Sequence, residues 1–283
     1  MSVTVFDPTQ CRLGEGPLWH PIREQLFWFD ILGKRLLTRE AGKTRHWQFD
    51  EHVSAAGWIS KNELMIASET ALSRFDLTTG GHETLVELEA ENPVTRSNDG
   101  RADPWGGFWI GTMGKNAEPG AGKIYRYYHG EMRRLVDEVT ISNAICFAPD
   151  RSCAYYSDTA EKRIMRQALE QENGWPEGEA EVFVDLAEYE LNPDGAVVDA
   201  FGNLWNAQWG ASRVAQYDAR GHFMQAVEFP ASQISCPAFG GPDLSTLFAT
   251  SAAHGLRPAT AADGQTFAVD VDVKGQPEHQ VKV

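Results

Sequence analysis

The feature that most constrains how this chain can fold is a repeat. Turn-rich clusters, each opening an apolar stretch, start at positions 14, 56, 98, 142, 193 and 235, so successive units lie 42, 42, 44, 51 and 42 residues apart. They read Gly14-Glu15-Gly16-Pro17-Leu18-Trp19, Ala56-Gly57-Trp58-Ile59, Asn98-Asp99-Gly100-Arg101-Ala102-Asp103, Ser142-Asn143-Ala144-Ile145, Pro193-Asp194-Gly195-Ala196 and Ser235-Cys236-Pro237-Ala238. A short aromatic run bounded by turn formers follows in most units, for example Gln25-Leu26-Phe27-Trp28-Phe29-Asp30, Gly107-Phe108-Trp109-Ile110-Gly111 and Asn203-Leu204-Trp205-Asn206-Ala207. Such runs read as strands. A third run, such as Lys123-Ile124-Tyr125-Arg126-Tyr127, comes in every unit, and a fourth, such as Ala180-Glu181-Val182-Phe183-Val184, in most. Four strands in one repeat of this length, six times over, is the pattern of a β-propeller.

The expected fold is therefore all-β: a six-bladed β-propeller with four-stranded antiparallel blades around a central axis, formed as one domain by residues 1–283. The best helical stretch, Ala160 to Glu172, is polar and short. A closed ring leaves no free sheet edge, so either Val3-Thr4-Val5-Phe6 or His279-Gln280-Val281-Lys282-Val283 should complete a terminal blade. The 51-residue spacing predicts an insertion over Gln171 to Gly178, read as an exposed loop.

Composition narrows the function. With 25 Lys and Arg against 40 Asp and Glu, the formal charge of −15 argues against nucleic acid or an anionic membrane surface as partner. The N-terminus has neither a basic segment nor an apolar core of signal-peptide type, and no stretch is apolar enough to span a bilayer, so the expected location is the cytoplasm. Cys11, Cys146, Cys153 and Cys236 form no CxxC pair and are expected to be buried free thiols. There is no P-loop, no nucleophile elbow, no dinucleotide fingerprint and no HExxH.

In a four-stranded meander the start of the first strand and the loop between the second and third lie at the same end of the blade. A site on the axis is built from those two segments. The first-strand starts offer Glu15, Asn98, Asn143 and Asp194; the loops offer Glu69, Lys115-Asn116, Asp158, Gln208-Trp209 and His254. Two carboxylates and an amide oxygen converging on one mouth suit a hard divalent cation better than a nitrogen-rich zinc site. Against this stand plainer roles. Asn98-Asp99-Gly100 and Pro193-Asp194-Gly195 are also turn formers, and Asp30, Asp76, Asp158, Asp218 and Asp270 at strand ends are expected to bond local backbone.

The ordered set Gly14-Glu15-Gly16-Pro17-Leu18-Trp19, Arg96-Ser97-Asn98-Asp99-Gly100-Arg101-Ala102-Asp103-Pro104, Gly111-Thr112-Met113, Ile141-Ser142-Asn143-Ala144 and Asn192-Pro193-Asp194-Gly195 resembles the SMP-30/gluconolactonase/regucalcin family of sugar lactonases over essentially the full chain. The resemblance implies a six-bladed propeller that binds one divalent cation, Ca²⁺, Zn²⁺, Mg²⁺ or Mn²⁺, through Glu15, Asn143 and Asp194. It also implies sugar contacts from Arg96 and Asn98. Two departures stand out. Asn116, preceded by Lys115, occupies the position of an acidic residue in animal members, and Ala144-Ile145 replaces the commoner Gly-Leu after Asn143.

The activity so implied is hydrolysis of a sugar lactone, with the cation acting on the lactone carbonyl and on water, Asp194 as general base, and Arg96, Asn98 and Asn116 holding the sugar. The alternatives are a calcium-binding propeller without catalysis and a hydrolase of non-sugar esters. Propellers serve many functions. Arg96, Asn98, Asn116 and Gln208 favour a polyhydroxylated substrate over an apolar ester.

Overall fold

Turn signals and apolar runs resolve into twenty-four strands in six four-stranded antiparallel sheets; the computed structural model describes residues 2–283. Blade one is typical, with strands Gly14–His20, Gln25–Asp30, Arg35–Glu40 and Lys43–Gln48 ordered from the axis outward. Its innermost strand is almost wholly buried and its outermost almost wholly exposed, which is why the first two runs of each unit are apolar and the fourth is polar. The innermost strands of blades two to six are Val53–Ser60, Thr95–Ala102, Ser142–Phe147, Asn192–Val198 and Ile234–Gly240.

Six hydrophobic clusters hold the ring, one at each junction between neighbouring blades. Phe27 and Leu36 of blade one meet Leu64 and Phe75 of blade two; Met65 and Leu72 meet Phe108 and Tyr127; Trp109 and Ile124 meet Ile145 and Ala154. Tyr155 and Ile164 then meet Leu204 and Tyr217, Trp205 and Val214 meet Phe239 and Phe267, and Ala238 and Phe248 return to Trp19 and Trp28. Trp28, Trp109 and Trp205 occupy the second strands of alternate blades and are fully buried. Truncating one of them to alanine would cost about 3–5 kcal/mol.

Closure uses the N-terminus. Thr4–Asp7 pairs antiparallel with Thr266–Asp270, Thr4 opposite Ala268 and Val5 opposite Phe267, as the outer strand of blade six. The C-terminal segment adds no strand. It crosses the base of the ring instead: Gly275 bridges Asp199 of blade five, Gln276 Nε2 donates to Phe147 O and Val198 O, Val281 N–H donates to Trp58 O and Lys282 N–H to Gly106 O.

The segment from Gln171 to Gly178 is the expected loop, exposed at Gln171, Glu172, Glu177 and Gly178, and it is anchored in its middle. Trp175 covers the buried Arg126 guanidinium at 4.5 Å and lies 4.7 Å from Arg133, while Trp105 Nε1 donates to Gln171 O. Arg126 Nε donates to Asp103 at 2.7 Å, but among the described residues its two terminal nitrogens have no hydrogen-bond partner, so aromatic faces are what compensates its burial. As expected, the stretch from Ala160 to Glu172 forms no α-helix: a 3-10 turn, Thr159–Glu161, is followed by a strand, Arg163–Ala168. Among the described residues no helix is long and apolar enough to cross a membrane. All four cysteines are buried and free, and burial pushes the thiols of Cys11, Cys146, Cys153 and Cys236 up, which leaves them inert.

Candidate active site

In every innermost strand the pairing register slips near the axis: between Glu15 and Leu18, Val53 and Ala55, Ser97 and Gly100, Asn143 and Cys146, Pro193 and Ala196, and Ile234 and Pro237. A bulge re-aims the side chains beside it, so residues that strict alternation would bury between sheets turn toward the axis. The glycines around Glu15 show how tight this is. A Cβ on Gly14 would lie 2.5 Å from Ser251 O of blade six, and one on Gly16, at φ +53°, would lie 2.2 Å from Ser54 O of blade two. Only glycine lets the strand pass between its neighbours while Glu15 points inward. Blades two and six carry Ser54 and Ser235 there, and these bond to Ser97 Oγ and Gly14 O of adjacent blades.

The result is a cavity of about 560 Å³ lined by Glu15, Arg96, Asn98, Asn116, Asn143 and Asp194, so the metal-ligand and substrate-contact candidates named from sequence reach one space. Arg12, Lys115, Trp209 and His254 stand in its wall as well, with Leu13, Leu32, Met113 and Ile141 as apolar surface. Among the loop candidates, Glu69, Asp158 and Gln208 do not line it. Glu69 pairs with Lys115 at 2.6 Å and with His52; Asp158 accepts the Thr140 and Ile141 backbone N–H groups; Gln208 is bonded to Tyr217 Oη and Arg213. Gln208 therefore lends nothing to the polyhydroxylated-substrate argument.

A hydrogen-bond chain sets the floor. Asn98 Nδ2 donates to Ser142 O at 2.8 Å and to Asn143 Oδ1 at 3.2 Å, Asn143 Nδ2 donates to Thr159 Oγ1 at 2.8 Å, and Thr159 Oγ1 donates to Pro193 O at 2.7 Å. With its amide nitrogen so engaged, Asn143 presents Oδ1 as an acceptor. Both donor hydrogens of Asn98 are used internally, and its Oδ1 accepts from Arg96 Nη1 at 2.8 Å. Asn98 is thus placed to position Arg96 and Asn143. Among the described residues, buried Arg96 Nε has no hydrogen-bond partner. Thr159 was missed from sequence, and the only signal for it was its place beside Asp158 in a second-to-third loop.

The electrostatics are unbalanced. Burial, then the charge of Asp99, raises the Glu15 carboxyl; burial, then Glu15 and Asp99, raises Asp194 well above the usual carboxylate range. Glu15 receives one N–H, from Gly16 at 3.1 Å, and Asp194 is helped by that of Gly195. Asp99, read from sequence as a turn residue, is buried, accepts Ile145 N–H at 2.7 Å and is raised to about 6, chiefly by burial. Arg96 is the cation facing Glu15 and Asp194, lowered to about 10 by its own burial, while Arg101 is the one that acts on Asp99. Among the described residues no three His, Cys, Asp or Glu side chains group to hold a metal; the acidic pair is completed by the Asn143 amide. Two under-solvated carboxylates and one oriented amide oxygen fit a hard divalent cation.

Residues 13–253 match the SMP-30/Gluconolactonase/LRE-like region family. The pentonolactonase XacC of Haloferax volcanii is 32% identical over 100% of this chain and 99% of its own, and the 6-deoxy-6-sulfogluconolactonase of Pseudomonas putida is 34% identical over 94% of each. A crystal structure of a calcium-binding protein, regucalcin, from Agrobacterium tumefaciens superposes with a TM-score of 0.97 at 40% identity, covering 100% of this chain and 98% of that one. Six blades, an axial set of Glu15, Asn143 and Asp194, and a family match across most of the sequence agree, and the chain belongs to the SMP-30/gluconolactonase/LRE-like family.

Proposed function

We propose that this protein hydrolyses sugar lactones to the corresponding sugar acids with the aid of one divalent cation held by Glu15, Asn143 and Asp194. The observation that carries the reading is the buried pair Glu15 and Asp194, facing a shared cavity without a counter-charge sufficient for both. Support for the substrate comes from relatives named as a pentonolactonase and a 6-deoxy-6-sulfogluconolactonase, and for the cation from the calcium-binding neighbour. Ca²⁺, Mg²⁺, Mn²⁺ and Zn²⁺ are all candidates.

When bound, the cation would supply Lewis-acid polarisation of the lactone carbonyl and acidify the attacking water. Asp194 would take the proton of that water as the new bond to the carbonyl carbon forms. It would return the proton to the ring oxygen as the acyl carbon–oxygen bond breaks, leaving the open hydroxy acid. Arg96 lines the cavity and its Nη2 makes no hydrogen bond among the described residues, so it would donate to a substrate oxygen while Asn98 holds the guanidinium in place. At the mouth Asn116 Nδ2 donates to Glu118 Oε1 at 3.0 Å, so its Oδ1 is left to accept from a sugar hydroxyl.

The test is acid release, followed with a pH indicator, from pentono- and hexono-lactones by metal-stripped protein with and without each cation. Cation-dependent release above the spontaneous rate is expected. None with any pair would overturn the reading and leave a cation-binding scaffold.

A further inference from the structure

We infer that the mouth of the cavity carries a subsite for a terminal phosphate or sulfonate on the sugar carbon farthest from the lactone carbonyl, built from Arg12 and His254. This rests on the lactonase reading for the orientation of the sugar. Both residues line the cavity and both are exposed at its rim. Their backbones are joined, His254 N–H donating to Arg12 O at 2.9 Å, so the two residues are neighbours in the wall of one cavity.

Neither side chain is neutralised. Arg12 Nη1 donates to Leu32 O at 3.0 Å, which anchors the guanidinium and leaves its other donors free. Among the described residues no carboxylate lies within ion-pairing distance of Arg12 or His254, whereas Lys115, also at the mouth, is held by Glu69. In a chain of net charge −15 an unpaired guanidinium facing a cavity runs against the field of the molecule.

The positions set the polarity of the substrate. Arg12 is three residues from Glu15, so their backbones are separated by at most about 11 Å. Glu15, Asn143 and Asp194, which would hold the cation, mark the end of the cavity where the lactone carbonyl would lie, while Arg12 and His254 stand at its rim. A sugar whose carbonyl lies on the floor therefore places its far end at Arg12. A guanidinium fork matches the paired oxygens of a phosphate or sulfonate, with His254 able to add a further donor.

Two readouts test this. Calorimetric titration of the cation-loaded protein with 6-phosphogluconate and with gluconate compares open-chain acids that differ in the terminal group. Turnover of gluconolactone, its 6-phosphate and its 6-deoxy-6-sulfonate compares the reactive forms. The expected result is at least about tenfold tighter binding of the phosphorylated acid and a similar preference in kcat/KM, weakened by salt, with the better of the two anionic lactones naming the group. In Arg12→Gln both ratios should fall toward one through KM, and His254→Gln should shift them less in the same direction. Wild-type ratios at or below one, or ratios unmoved by Arg12→Gln, would overturn the subsite. Arg12-dependent binding of 6-phosphogluconate by a protein that opens no lactone would keep the subsite and remove the lactonase reading; neutral-lactone turnover without the preference would do the reverse.

Discussion

The two ends of the propeller axis treat buried charge in opposite ways. At the base, Arg101 is buried and its counter-charge is supplied by the chain itself, through Glu278 on the C-terminal strap; the space left beside them is about 30 Å³, room for little more than a water. At the mouth, Glu15 and Asp194 face Arg96 and the space is about 560 Å³; the cation that acts on Asp99 is Arg101. Leaving a charge buried without its partner costs several kcal/mol. The fold meets that cost at the base with a tethered carboxylate. At the mouth it leaves the cost standing, and that is where an external cation gains most by binding.

The sharpest way to break this comparison is at Asp194. Asp194→Asn should lower kcat/KM for the best lactone by at least about a thousandfold. The same change removes a poorly solvated charge, so the metal-stripped variant should melt at or above the wild-type temperature, measured by circular dichroism. Activity lost together with stability would mean that Asp194 is a structural group.

At the base the opposite response is expected. Glu278→Ala leaves Arg101 unpaired and should cost about 3–5 kcal/mol in chemical denaturation. A loss below about 1 kcal/mol would show that the strap does not neutralise the axis.

The gentlest probe is pH. The Glu15 and Asp194 carboxyls are raised in the folded state, so from about pH 4, where the unfolded carboxylates ionise, the folded state holds more protons than the unfolded one. Stability of the stripped protein should therefore fall as pH rises from there through neutrality. Added Ca²⁺ or Mn²⁺ should raise the melting temperature by several degrees more at pH 8 than at pH 5.5, because protons compete with the cation for the same oxygens. A cation effect independent of pH would place its site elsewhere.

Much of this was legible before any coordinates. The 42-residue spacing sets six blades, and the glycines around Glu15 and the motifs at Asn98, Asn143 and Asp194 mark the residues that reach the axis. The loop residues were less readable. Trp209 and His254 line the cavity as expected, while Glu69, Asp158 and Gln208 turn to nearby partners, because a loop side chain goes to the closest hydrogen-bond partner and sequence does not say which that is. Ala144 is a mild cost carried inside the site: it sits at φ +58°, where glycine would be freer, directly after Asn143.

The sequence by itself determined the repeat, the strand class and the axial ligand candidates, since hydrophobic period and turn chemistry are local properties that act within one blade. Tertiary structure alone decided that the N-terminal strand closes the ring, that the C-terminal segment carries Glu278 across its base, that Asp99 adds to the field on Glu15 and Asp194, and that Arg12 meets His254 at the rim. Each of these joins residues from different blades or from the two chain ends, and their approach is set by how the six wedges pack around one axis.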